Sequence, residues 1–172
     1  MITTPPVRHV VIVGCSARKL ATTTPVEALN LYQGWCVPQL RAHIGGHRQR
    51  REQILVLSGH HGLIHADTPL LPYDQPLTPH RVAELRPQVH RAWVQQARRA
   101  TVGELLLLLE PTYLELIGPS LISCPPTAAH WIPDPIRMWE HATAVMDGWG
   151  WRRSPGVEAE ARSLRGCPAC ST

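Results

Sequence analysis

The chain has 172 residues, of which 44% are hydrophobic, and its formal net charge is +4. This length fits one domain that buries roughly two-thirds of the surface of its unfolded chain, so folding needs neither a disulfide nor a metal. No apolar run approaches the ~18 residues of a membrane span, and the first residues lack the pattern of a secretion signal. These features predict a cytoplasmic protein without a membrane partner, whose five cysteines are reduced.

Positive charge is concentrated in the first part of the chain. Residues 1–100 carry 12 Lys or Arg against 5 Asp or Glu, whereas residues 101–172 carry 5 against 8. A basic half can face an anion such as a phosphate backbone or a nucleotide, although it can equally serve solubility. Lys19 is the only lysine among 17 basic residues, which indicates a chemical role for its compact ammonium group.

The first half of the chain alternates predicted strands with one predicted helix. An apolar strand over residues 8–13 leads into a loop over 14–19. A helix opened by Thr and Pro is predicted over residues 22–43, and Gly45-Gly46 ends it. A second buried strand over 53–57 breaks into Ser-Gly-His-His-Gly, and the long loop that follows, to Thr78, is expected to be ordered.

The second half continues the alternation. Thr78-Pro79 opens a helix whose apolar residues recur at helical spacing as far as Ala97. A third strand is predicted over 104–109, although a leucine run of this kind also suits a helix. A short helix over 112–117, a fourth strand over 120–124 and a last helix over 134–146 complete the predicted elements.

The predicted domain covers residues 1–150, and residues 151–172 form a predicted tail or accessory segment. The composition of this segment shifts to Ser, Gly, Glu and Arg. Cys167 and Cys170 have half of a zinc-knuckle spacing, and no second Cys/His pair with zinc spacing stands near them. We therefore predict no metal site and no cofactor, with a cluster completed by other cysteines as the alternative.

Strands alternating with helices predict an α/β fold, a three-layer α/β/α sandwich around a mainly parallel four-stranded sheet. Sheets of this kind bind ligands at the carboxyl ends of their strands. The reactive residues fall there: Cys15, Ser16, Arg18 and Lys19 after the first strand, Ser58, His60 and His61 after the second, Glu110 after the third, and Cys124 with His130 after the fourth. The sequence therefore predicts one site at this edge of the sheet.

Two kinds of chemistry suit these loops. Gly14-Cys15-Ser16 with Arg18 and Lys19 offers backbone N–H groups, a hydroxyl and two cations, which suits a phosphate, although neither a Walker nor a dinucleotide pattern is present. Asp74 can return to the rim beside His61, where a carboxylate and a histidine suit cleavage of a sugar–base bond. The alternatives are that Cys15 is a nucleophile and that Asp74 only caps its own loop.

Four sequence blocks in this order resemble the YaaA peroxide-stress proteins and related bacterial and phage domains. The resemblance covers residues 8–80 and is carried by Gly14-Cys15-Ser16-x-x-Lys19, Leu31-Tyr32-x-Gly34, Leu57-Ser58-Gly59-x-His61-Gly62-Leu63 and Pro72-Tyr73-Asp74. These domains are similar in layout to the uracil-DNA-glycosylase-like superfamily, whose α/β/α sandwiches are associated with nucleobases. The resemblance implies a nucleobase or nucleic-acid site at the same loops.

The favoured hypothesis is an enzyme acting on a nucleobase, nucleoside or nucleotide, by cleavage of an N-glycosidic bond or by base exchange. The predicted catalytic residues are His61, Tyr73 and Asp74, and the predicted substrate-binding residues are Gly14, Cys15, Ser16, Arg18, Lys19, Tyr32, Ser58, Gly59 and His60. The alternatives are a non-catalytic DNA- or RNA-binding stress protein of YaaA type and a metal-dependent domain that uses the cysteines. The oligomeric state stays open, with a homodimer as one option.

Overall fold

A computed structural model describes residues 7–153 of the chain. In chain order the elements are β1 (Val7–Gly14), β2 (Val26–Glu27), α1 (Ala28–Leu31), α2 (Val37–Ile44), α3 (Arg48–Arg51), β3 (Ile54–Ser58), β4 (Gly62–His65), β5 (Pro69–Leu70), α4 (Pro79–Arg99), β6 (Thr101–Leu108), α5 (Pro111–Ser123), β7 (Ala128–Ile132) and α6 (Trp139–Gly148). None of these helices is long and apolar enough to cross a membrane.

The central sheet has five strands in the order β4-β3-β1-β6-β7. β1 pairs in parallel with both β3 and β6, β6 pairs in parallel with β7, and β4 runs antiparallel to β3. The mixed α/β class and the mainly parallel sheet are thus confirmed, with five strands where the sequence predicted four. A separate ribbon pairs β2 with β5.

Helices cover both faces of the sheet, which explains why β1 reads as an uninterrupted apolar run. Successive side chains of a strand point to opposite faces. Val11 and Val13 therefore pack with residues of α1, α2 and α6 in one hydrophobic cluster, whereas Val10 and Ile12 pack with residues of α4 and α5 in another. With both faces of residues 10–14 buried, polar side chains are confined to the amino end of β1 and to the loop that follows its carboxyl end.

The fourth predicted strand, over residues 120–124, is wrong. These residues continue the predicted short helix, so that α5 runs to Ser123, and the last parallel strand is β7. Periodicity could not separate a strand from a helix in a segment of this length. Ile122 is 82% exposed, which a helix tolerates and a buried strand does not. As a result His130 lies within β7, and neither it nor Cys124 follows a strand as predicted.

The predicted helix over residues 22–43 is also wrong over much of its length. Residues 26–27 pair with β5, α1 is a single turn, and α2 begins only at Val37. Between the two helices Tyr32 is extended, where it forms a β-bridge with Lys19. The predicted end is confirmed, because α2 stops at Ile44 and Gly45 adopts φ 58, a left-handed conformation that favours glycine.

The last helix begins later than predicted, and the packed part of the chain extends beyond the predicted domain boundary. α6 starts at Trp139 rather than at residue 134, because Asp134 to Met138 form a turn closed by a hydrogen bond from Met138 N to Asp134 O. Trp151 falls in the predicted tail, yet it is 6% exposed and packs in the hydrophobic core. Cys167 and Cys170 lie outside the described residues.

Candidate functional site

A cleft of about 550 Å³ lies at the carboxyl ends of β1 and β6, which are adjacent because these strands pair in parallel. The loops that follow the two strands form part of its lining, and segments 34–35 and 74–77 supply much of the rest. Among the lining residues are Cys15, Arg18, Lys19, Trp35, Asp74, Glu110 and Tyr113. The sequence predicted that distant loops meet at this edge. The loops after β1 and β6 and the segment around Asp74 do meet there.

Three charged groups in the cleft lack partners in the described part of the chain. The guanidinium of Arg18 and the carboxylates of Asp74 and Glu110 form no hydrogen bond or ion pair with residues 7–153, and all three residues are exposed. Elsewhere most carboxylates are paired, as Glu52 is with Arg48 at 3.0 Å. The cleft thus holds charges that are free to bind a ligand.

Cys15 stands against Tyr113, a residue that the sequence interpretation missed. The Cys15 Sγ and Tyr113 Oη atoms are 3.0 Å apart in a hydrogen bond in which either can be the donor. Burial raises the pKa of the Tyr113 hydroxyl, so it stays protonated at neutral pH. The only available signal was that Tyr113 follows a predicted strand by a few residues, at the start of α5.

Ser16 braces the loop and is not the free hydroxyl that was predicted. Its hydroxyl donates to Arg18 O at 2.7 Å and accepts from Gly34 N at 3.0 Å. Gly14 also has a packing role, because a Cβ at this position would lie 2.9 Å from Cζ3 of Trp35.

Trp35 itself has an unusual backbone conformation. Its φ is 55, the only positive φ outside glycine in the described chain. Strained backbone of this kind often marks a functional site.

Tyr73 lies behind the cleft in a hydrogen-bonded hub with Tyr32 and Ser58. The Tyr73 hydroxyl is 2.6 Å from the Tyr32 hydroxyl and 2.6 Å from Ser58 Oγ. Ser58 Oγ also accepts the backbone N–H groups of His60 and His61. Burial raises the pKa of Tyr32 to about 12 and raises that of Tyr73 as well. All three hydroxyls of this hub are thus protonated and already engaged in hydrogen bonds within the chain.

Lys19 joins the hub to the cleft. Its Nζ lies 4.4 Å from the centroid of the Tyr73 ring and donates to Ala17 O at 3.2 Å. An ammonium group over an aromatic face is attracted by the ring quadrupole. This contact holds the single lysine of the chain at the cleft wall, and the predicted chemical role of the lysine stays a prediction.

His60 and His61 pack on Tyr73 and lie outside the cleft lining. The His60 ring stacks on Tyr73 at 4.8 Å, and the His61 ring meets it edge-on at 5.0 Å. Burial, with a smaller contribution from the charge of His60, lowers the pKa of His61 and keeps it neutral. Gly59 is buried under residues 75–77, since a Cβ would lie 3.2 Å from Gln75 O. His61 is therefore not among the residues that line the cleft with Asp74, beside which it was predicted to act.

Two features outside the cleft also bear on its chemistry. In the basic turn over residues 48–51, Arg48 pairs with Glu52, and Arg51 pairs with Glu27 at 2.6 Å and with Asp67. Within residues 7–153 no three His, Cys, Asp or Glu side chains lie close enough together to hold a metal ion.

Comparison with known proteins places the chain in a family. Residues 10–127 match a family of unknown function, DUF6884. The chain belongs to this family. The matched region of DUF6884 runs from β1 to the residue before β7 and includes every segment that lines the cleft except the one at Ile136. No curated protein and no solved structure gives a significant match to the chain.

Proposed function

We propose that this DUF6884 protein is an enzyme that acts on a nucleobase, nucleoside or nucleotide held in the cleft. The observation that carries the proposal is the mixed lining of the cleft, which brings together cations, free carboxylates and aromatic rings. A volume of about 550 Å³ suits a ligand of nucleotide size, since small-molecule sites span about 300–1,000 Å³.

Each part of such a ligand has a suitable counterpart. Arg18 and Lys19 supply the positive charge for a phosphate, and the guanidinium of Arg18 is free to bind it in a bidentate manner. The rings of Trp35 and Tyr113 offer apolar faces for a base. The proposed ligand is therefore a nucleoside with an anionic group, which agrees with the basic charge of residues 1–100.

The proposed reaction is cleavage of an N-glycosidic bond or base exchange. Asp74, exposed and unpaired, is suited to stabilise an oxocarbenium-like transition state or to activate water. The protonated hydroxyl of Tyr113 is suited to donate a hydrogen bond to the leaving base. Tyr73 is then a positioning residue for the segment that carries Asp74, and His61 supports Tyr73 from outside the cleft.

The second candidate is a DNA- or RNA-binding protein without turnover. It is supported by the basic first half of the chain and by the sequence resemblance to YaaA proteins. The pairing of Arg48 and Arg51 with acidic neighbours weakens it, because a phosphate backbone would have to compete with those carboxylates.

The test is release of a free base from a panel of nucleosides, nucleotides and oligonucleotides, followed by chromatography. We expect Asp74→Asn to lower the rate by about a hundredfold or more and Arg18→Gln to raise KM by about tenfold. Glu115→Gln removes another exposed carboxylate, outside the cleft lining, and is the matched control. Full activity of Asp74→Asn would overturn the proposal, and salt-dependent binding of oligonucleotides without base release would favour the second candidate.

A further inference from the structure

One edge of the central sheet is open in the described part of the chain. The strand at this edge is β7, the last in the order β4-β3-β1-β6-β7, and within residues 7–153 it pairs with β6 alone. The backbone groups of a strand point alternately to its two sides, so about half of those of β7 face away from β6. No backbone group of residues 7–153 outside β6 bonds to β7.

The opposite edge of the sheet is protected. Residues 66 and 68 continue the chain from β4, and their carbonyls accept hydrogen bonds from Leu29 N and Ala28 N, at 2.9 and 2.8 Å. The nearby Asp67 adds a charge that pairs with Arg51. Edge strands are usually kept from pairing with other chains by charges, by prolines or by a covering element. β7, with the sequence AAHWI, contains no charged residue and no proline.

The chain around β7 is also without charge. Residues 116–133, from the middle of α5 to the end of β7, contain no Asp, Glu, Lys or Arg, although these types make up 17% of the chain. Ile122 is 82% exposed and Trp131 is 44% exposed, and Ala128 and Ala129 are exposed as well. An exposed apolar surface of this kind marks a site of protein contact.

The distribution of charge indicates which partner fits this edge. α4 carries five arginines against the single acid Glu84, and residues 1–100 are basic as a whole, so two copies of the chain repel each other at those surfaces. Glu104 is the one charged residue of β6, and its carboxylate already accepts from Trp149 Nε1 at 3.0 Å and lies 3.2 Å from His130 Nε2. A partner chosen by opposite charge therefore finds nothing to pair with at β7, whereas a second copy meets an equally uncharged edge.

We propose that two copies of this chain associate through β7. A two-fold axis sets the two β7 strands antiparallel, so the outward backbone groups of each strand pair with those of the same strand in the other copy. The sheet then continues from five strands to ten across the axis. This association is independent of the reaction proposed for the cleft.

The experiment is sedimentation of the full chain at concentrations from about 1 to 100 μM, with hydrogen exchange of the β7 amides at both ends of that range. We expect a mass of twice the 19.2 kDa of one chain, with a Kd of about 10 μM or lower. Exchange of the β7 amides should slow as the concentration rises, because the dimer bonds them.

Two variants place a charge at the edge. Ala129→Glu should raise the Kd by at least about tenfold, since like charges meet across the axis. Ala128→Glu does the same on the other face of the strand and is the second variant, and thermal unfolding checks that each folds. Ala83→Glu is the matched control, because Ala83 is an exposed alanine on α4, and it should leave the Kd unchanged.

Three results would overturn the proposal. The first is a monomer over the whole concentration range. The second is an unchanged Kd in folded Ala129→Glu and Ala128→Glu, which would place the interface elsewhere. The third is slow exchange of the β7 amides at every concentration, which would show that another part of the same chain covers the edge.

Discussion

Two regions at the carboxyl end of the sheet differ in how their polar groups are satisfied. In the hub, the hydroxyls of Tyr32, Ser58 and Tyr73 are buried or half-buried and bonded to one another at 2.6 Å. In the cleft, the charged groups of Arg18 and Asp74 are exposed and have no partner in the described chain. Residues adjacent in the chain can belong to different regions, since residue 73 belongs to the hub and residue 74 lines the cleft.

This difference has a consequence for reading sequence motifs. A residue in a conspicuous motif can be there to hold a loop in place and not to bind a ligand. Ser58 is surrounded by glycine and histidine, a combination typical of sites, yet its hydroxyl orients the backbone of His60 and His61. Groups whose hydrogen bonds are already made have little left for a ligand. We therefore expect hub variants to change stability and cleft variants to change binding.

The largest effect on stability is expected from Ser58→Ala. The change removes an acceptor for two backbone N–H groups and a partner of the Tyr73 hydroxyl. Loss of several buried hydrogen bonds should lower the free energy of unfolding by about 2–4 kcal/mol, measured by urea denaturation. Ser123→Ala, at an exposed hydroxyl bonded only to Pro119 O, is the control and should change little. A loss as small as that of the control would mean that the hub is not a source of stability.

The second-largest loss of stability is expected at alkaline pH, where Tyr32 ionises. The pKa of Tyr32 is raised from 10.0 to about 12, so its contribution to stability is complete below pH 10 and is lost as the pH rises toward 12. Two pH units correspond to up to about 2–3 kcal/mol of unfolding free energy. The pKa values of all three tyrosines, Tyr32, Tyr73 and Tyr113, are raised. Tyrosinate absorbance should therefore rise above pH 10 in the folded chain and near pH 10 in urea. Coincident curves would contradict the burial of these hydroxyls, which is the main cause of the raised pKa values.

A smaller loss is expected from Tyr73→Phe. The ring remains for Lys19 and for the two histidines, and only the hydroxyl that links Tyr32 to Ser58 is lost. The free energy of unfolding should fall by about 1–2 kcal/mol in the same urea assay. Tyr73→Leu, which also removes the ring, should lower it further, and equal losses in the two variants would show that the hydroxyl contributes most of the stability.

The smallest effect on stability is expected in the cleft. Arg18→Gln and Asp74→Asn remove charges without a partner among the described residues, so the free energy of unfolding should change by less than about 0.5 kcal/mol. Thermal unfolding of both variants beside Glu115→Gln checks this. A loss above about 1 kcal/mol in either cleft variant would show that the charge is structural and would remove the contrast between the two regions.

Local patterns predicted much of the fold and the edge of the sheet at which the cleft lies. The apolar runs that became β1, β3 and β6 were recognisable because a strand buried on both faces has no polar side. The start of α4 at Thr78-Pro79 and the end of α2 before Gly45 follow from capping preferences that act within a few residues. The parallel arrangement then placed the loops after β1 and β6 at one edge, because neighbouring parallel strands end on the same side.

Which side chains pack together or form hydrogen bonds was decided only by the tertiary structure. The sequence by itself determined that two apolar residues lie side by side within residues 120–124, but exposure of Ile122 on α5 depends on packing against other elements. Cys15 and Tyr113 are 98 positions apart, and no local pattern links them. The division between an occupied hub and a free cleft arises in the same way, because a hydrogen bond depends on where two side chains meet after the sheet and its helices have packed.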